Sequence, residues 1–147
     1  MYGVILLLHV LSATIWTGGH LVLALTILPR VLREKSPSEL LRFESAFERI
    51  GLPALFIQVV TGIWLAYHVL PETSRWFALD TGLSRLLTLK LFLLAMTVIL
   101  ALDSRLRLIP KLSATTLPSL TWHIVVVTMI SVLFVVVGVS FRTGWIF

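Results

Sequence analysis

Cysteine is absent from this 147-residue chain, which excludes disulfides, thiolate metal sites and thiol redox chemistry. Charge is scarce too. Asp, Glu, Lys and Arg make up 13% of the residues, about half the usual ~25% of a soluble domain. Soft thioether sulfur is confined to Met96 and Met129 beyond the initiator, which is thin for a Cu(I) conduit. There is no internal repeat and no low-complexity tract.

Apolar residues fill the space instead, and they come in long blocks. Val4 to Leu28, Ile50 to Leu70 and Thr121 to Phe141 contain no charged residue, and Leu86 to Leu102 contains only Lys90. A bilayer span takes about 20 apolar residues. Four such blocks predict an all-α integral membrane four-helix bundle, because backbone in lipid must satisfy its own hydrogen bonds. The spans are placed at about 4–28, 50–70, 86–103 and 121–142 of one transmembrane domain covering 1–147. The first block lacks a basic leader and is too long for a signal-peptide core, so it is read as a retained span.

Lys and Arg set the orientation. Arg30, Arg33, Lys35, Arg42 and Arg49 follow span 1, and Arg105, Arg107 and Lys111 follow span 3. The other side has Arg75, Arg85 and Arg142, eight against three. Both termini are therefore expected in the periplasm of a bacterial inner membrane. The net charge of +5 serves anionic lipid headgroups rather than nucleic acid. Ser36-Pro37-Ser38-Glu39 has the pattern of a capping box with proline at the first helical position. Leu40, Phe43, Phe47 and Ile50 then predict a short amphipathic surface helix before span 2. Pro53 falls early in span 2, and Trp76 and Phe77 are expected at interfacial depth.

Four histidines, His9, His20, His68 and His123, fall within or at the ends of spans. An ionisable group there is costly and is a functional candidate by default. The plainer alternative for each is a hydrogen bond to a neighbouring helix. His9 and His20 are eleven residues apart, which puts them on one helix face at roughly 16 Å along the axis. Trp16 shares that face. Alternating helix directions sort the set by depth: His9 with His68 on the outer side, His20 with His123 on the inner side. Lys90 joins the outer group. Its stem is expected to carry the amine to the interface; the alternatives are an axial ligand or a salt bridge to an anionic cofactor. Asp103 is expected to pair with Arg105 or Arg107.

Haem b, one or two copies, is the first cofactor these residues suit, since a helical bundle can offer axial imidazoles from facing helices. Gly18 and Gly19 would let a flat macrocycle or another helix approach. Thr61 and Trp64 share a face with His68. Arg30, Arg85 or Arg105 would meet propionates. Copper is the alternative, because imidazole also suits it. A proton relay through the histidines and Lys90 is a third use. Expected partners are membrane lipid and a quinol or periplasmic redox partner, with a homo-oligomer left open.

Leu8-His9, Trp16-Thr17-Gly18-Gly19-His20 and Leu28-Pro29-Arg30 resemble the first span of the copper resistance protein D (CopD) family. Phe47-Glu48-Arg49-Ile50-Gly51-Leu52-Pro53-Ala54, Thr61-Gly62-Ile63-Trp64-Leu65, Leu89-Lys90-Leu91 and Arg105-Leu106-Arg107 extend the likeness. That resemblance implies copper tolerance or uptake. The same features are similar to HemJ-type protoporphyrinogen oxidases, which would imply haem held by His9 and Lys90. The tyrosine-histidine that follows Leu-Pro-Arg-Leu in those enzymes is replaced here by Val31-Leu32-Arg33. The leading expectation is a haem-b redox protein, with copper handling as the alternative and the oxidase as a further one. An accessory subunit whose histidines only pack is the plain alternative.

Overall fold

The structure is a computed structural model that describes residues 1–113 and 115–146. Among these residues the secondary structure is helical, with no strand. Helices α1 (Tyr2–Val22), α2 (Leu28–Glu34), α3 (Pro37–Val69), α4 (Gly82–Asp103) and α5 (Leu117–Thr143) form four stretches long and apolar enough to cross a membrane. These stretches are Tyr2–Glu34, Pro37–Val69, Gly82–Lys111 and Leu117–Thr143.

Two of them pass through a π turn, and each π turn directly precedes a proline. Leu23–Ile27 lies ahead of Pro29, and Ser104–Leu108 lies ahead of Pro110. A proline ring clashes with the carbonyl four residues back. Widening the turn re-routes the local bonds, so that Leu28 N–H donates to Leu23 O and Ile109 N–H to Ser104 O. The helices thus continue past positions where a proline would otherwise break them.

The connection after the first span differs from the expected one. Residues 37–49 are not a separate surface helix but the first part of α3, which runs unbroken through Pro53. The reason is packing. Leu40 is fully buried with Leu23, Leu28, Val31 and Leu120, and Phe43 packs against that cluster. Leu40, Phe43 and Phe47 of the apolar stripe meet the bundle, while Ile50 is exposed. The capping box also does not form: Ser36 makes no cap bond through its side chain, which faces Ser38 Oγ at 2.8 Å, while Glu39 pairs with Arg30 at 2.8 Å.

Inside and outside are composed as lipid demands. Leu7, Leu25, Phe56, Phe92, Trp122 and Met129 are exposed, while Ser12, Thr17, Thr61, Thr97, Thr128 and Ser131 are buried. Apolar burial gives little drive between helices in a bilayer, so close packing and interhelical hydrogen bonds carry the association. Thr17 Oγ1 donates to Ser131 O at 3.3 Å, and Thr128 Oγ1 donates to His20 O at 3.2 Å, tying α1 to α5. Between α1 and α3 the ring of Phe47 fills the space that side chains at Gly19 and Gly51 would need. Gly19 therefore serves helix packing, whereas Gly18 faces open space.

Helix α1 packs on α3 and α5, and α5 packs on α4. Helices α3 and α4 meet mainly at their ends. At one end Ala66 and Leu70 pack with Leu87. At the other, Arg105 pairs with Glu48. Between these closures the two helices stand apart across a cavity.

Candidate functional site

The cavity measures about 570 Å³ and is lined from α1, α3, α4 and α5. That volume lies within the ~300–1,000 Å³ of small-molecule and cofactor pockets. Its wall is mostly aliphatic and aromatic. The polar groups on it include His9, Trp16, Gln58, Lys90 and Arg142.

His9 is the one sequence-predicted histidine on this wall. Its Nδ1 lies 3.0 Å from Gln58 O and 3.0 Å from Thr61 Oγ1. A carbonyl only accepts, so Nδ1 carries a proton, and in the neutral ring Nε2 then holds the lone pair. The ring is also held by Gly62, where an added Cβ would sit 3.0 Å from His9 Cε1. A second-site hydrogen bond that fixes tautomer and ring plane is how ligating imidazoles are prepared.

Lys90 reaches the same cavity from α4. Its amine lies against the last turns of α5. It points inward, with Nζ 5.3 Å from the centre of the Phe141 ring and 3.6 Å from where a Cβ on Gly138 would be. The absent side chain at Gly138 makes room for it. His9 and Lys90, from helices 81 residues apart in sequence, are thus brought to one site.

The other three histidines are placed differently from the expected outer and inner pairs. His68 stacks on Trp64 at 5.2 Å and 7°, and lies 5.0 Å from the Tyr2 ring. It is outside the cavity wall, while Tyr2 is on it. His20 donates from Nδ1 to Trp16 O at 2.9 Å and packs its ring on Trp16 and Phe47. His123 places Nε2 2.9 Å from Asp103 Oδ2 and Nδ1 3.2 Å from Ser119 O. Helix rotation gives each ring its own partners. Asp103 pairs with Arg107 as expected and with His123 as well. Arg30 is engaged by Glu39 at the start of α3 and Arg105 by Glu48, both away from the cavity wall. Arg85 Nε donates to Leu79 O.

Trp76 belongs to the cavity as well. It folds back over the bundle end and lines the cavity, donating from Nε1 to Leu70 O at 2.8 Å and meeting Tyr67 edge-on. Thr88 Oγ1 donates to Trp76 O at 2.6 Å, which fixes it to α4. Phe77 is exposed.

Gln58 is the site residue that sequence reasoning missed. It is the only glutamine in the chain and sits mid-span, which is the signal that marks it. Among the described residues, Gln58 Oε1 and Trp16 Nε1 are the buried side-chain polar atoms without a hydrogen-bond partner. Both residues line the cavity. No cluster of three or more His, Cys, Asp or Glu exists among the described residues.

The sequence model of the copper resistance protein D family matches residues 41–141. The chain belongs to the CopD family. It is a copper-resistance-related, multi-pass membrane protein. The matched residues hold Gln58, Thr61, His68, Lys90 and His123, whereas His9, Trp16 and His20 precede them. No curated protein and no solved structure matches the chain. The likeness to HemJ-type oxidases gains nothing from this match.

Proposed function

We propose that this CopD protein handles copper within the membrane, with the four-helix cavity as the copper-accessible site and His9 as its donor. Family membership carries this reading. The chemistry of the wall supports it: a neutral imidazole with a free Nε2 suits copper. The absence of a three-donor cluster among the described residues argues for passage rather than storage. A conduit must bind its ion well enough to admit it and weakly enough to release it. His20, on the same helix as His9 and also with Nδ1 spent on a carbonyl, offers a second imidazole farther along α1.

Deleting the gene should change copper tolerance and cellular copper content, and wild-type protein, but not His9→Ala, should restore both. Unchanged copper in the deletion strain would count against the proposal.

A second reading, a haem-b protein, rests on one observation: His9 and Lys90 share an apolar cavity of cofactor size. Those two residues would hold the group, and its iron would supply one-electron chemistry. The chain's own contribution is the ring of His9, fixed by Gln58 and Thr61, and a wall that limits water. Purified protein from haem-replete cells that lacks a Soret band removes this reading and leaves the copper one standing.

A further inference from the structure

We infer that the cavity is a binding site for a hydroxyl-bearing apolar molecule drawn from the bilayer between α3 and α4. The inference does not rest on the copper reading.

Two orphaned polar atoms carry it. Trp16 is 6% exposed, and its Nε1 has no partner; Gln58 Oε1 is buried and has none either. An indole N–H only donates, and an amide oxygen only accepts. Left unpaired, each is a net cost to the fold. A carbonyl compound could satisfy Trp16 but not Gln58, and an amine cation could satisfy Gln58 but not Trp16. A hydroxyl accepts from one and donates to the other. The two residues stand on α1 and α3, on the wall of one cavity.

The rest of the wall decides the body of the ligand. Leu55, Val59, Leu87, Leu91, Leu94 and Phe134 are apolar, so they suit a hydrocarbon ring or chain. The route follows from the packing. Helices α3 and α4 are closed by Ala66, Leu70 and Leu87 at one end and by Glu48 with Arg105 at the other. They stand apart between. Both helices carry exposed apolar side chains, Phe56 on α3 and Phe92 on α4, as lipid-facing surfaces do.

The test uses the full chain, metal-free in the presence of a chelator, in phosphatidylcholine nanodiscs. Equilibrium binding is measured for 4-octylphenol, for dodecanol and for 4-octylanisole, which is the phenol with its O–H capped. Empty nanodiscs give the partition blank. Saturable binding of the phenol or the alcohol, about 10-fold or more tighter than the ether, is expected. The tighter of the two names the body as ring or chain. In Gln58→Leu and in Trp16→Phe the preference over the ether should fall below about 3-fold. No saturable binding to the wild-type protein, or ether binding as tight as both hydroxyl compounds, overturns the inference. That comparison needs no variant to fold, and because metal is absent its failure leaves the copper reading untouched.

Discussion

A Cβ on Gly62 would stand 3.0 Å from Cε1 of His9. The glycine of α3 therefore fixes how far the imidazole of α1 can sink between the helices. Contacts of Nδ1 with Gln58 O and Thr61 Oγ1 tie the ring to the same helix. Gly62→Ala should push the ring aside at a cost of about 1–3 kcal/mol, and should lower copper handling by 3-fold or more on the order expected from that cost. The protein should still assemble. Uptake by cells expressing this variant at wild-type level measures it, and unaltered uptake would show that His9's position is not set this way.

Lys90 is expected to act against stability and for function. Its amine sits among Phe141, Gly138 and apolar wall residues, where an ionisable group is expensive, about 2.5–3.5 kcal/mol at a helix centre on insertion scales. Lys90→Met keeps the length and drops the amine. It should raise the thermal unfolding temperature in detergent while reducing activity at the cavity. A variant that melts lower, or that works as well as wild type, would contradict this placement.

The ion pairs of Arg105 and Asp103 should differ in weight. Arg105 is more than half exposed, so its pair with Glu48 should contribute no more than about 1 kcal/mol. Asp103 is less exposed and serves both Arg107 and His123. Asp103→Asn should therefore cost more than Arg105→Ala, on the order of 1–2 kcal/mol. Unfolding of both variants in mixed micelles orders them, and the reverse order would refute the assignment.

Leu79 has φ of 57°, a left-handed conformation for a branched residue. Its N–H donates to Ser84 Oγ at 3.0 Å and its carbonyl accepts from Arg85 Nε at 3.0 Å, which hold it there. Leu79→Gly should be neutral or stabilising by about 1 kcal/mol, since glycine carries no Cβ penalty in this region. A clear fall in melting temperature would show that the leucine side chain matters more than the strain.

The span count was legible because length and apolar content alone decide it. Orientation of faces was not. The periodicity of α1 correctly put His9, Trp16 and His20 on one stripe, yet nothing in the sequence gives the rotation of α3, α4 and α5. Hence His68 was paired with His9 although it stacks on Trp64, and His123 with His20 although it meets Asp103. The stripe of Leu40, Phe43 and Phe47 fits a membrane surface and a bundle core equally well, and only the fold shows which one covers it. The nearness of Lys90 to the span end says nothing of the room left by Gly138, which lets its amine lie on the cavity wall. Gln58 carries no charge and matches no ligand type, so only the fold shows its carbonyl on His9 and its unpartnered Oε1.

Copper flux into proteoliposomes tests the central claim most directly. With Cu(I) supplied outside and a copper-sensitive probe inside, wild-type protein should carry copper above the rate of protein-free vesicles, and His9→Ala should fall to that blank. Flux equal to the blank with wild-type protein of either orientation, or undiminished flux in His9→Ala, would contradict a copper path through this cavity.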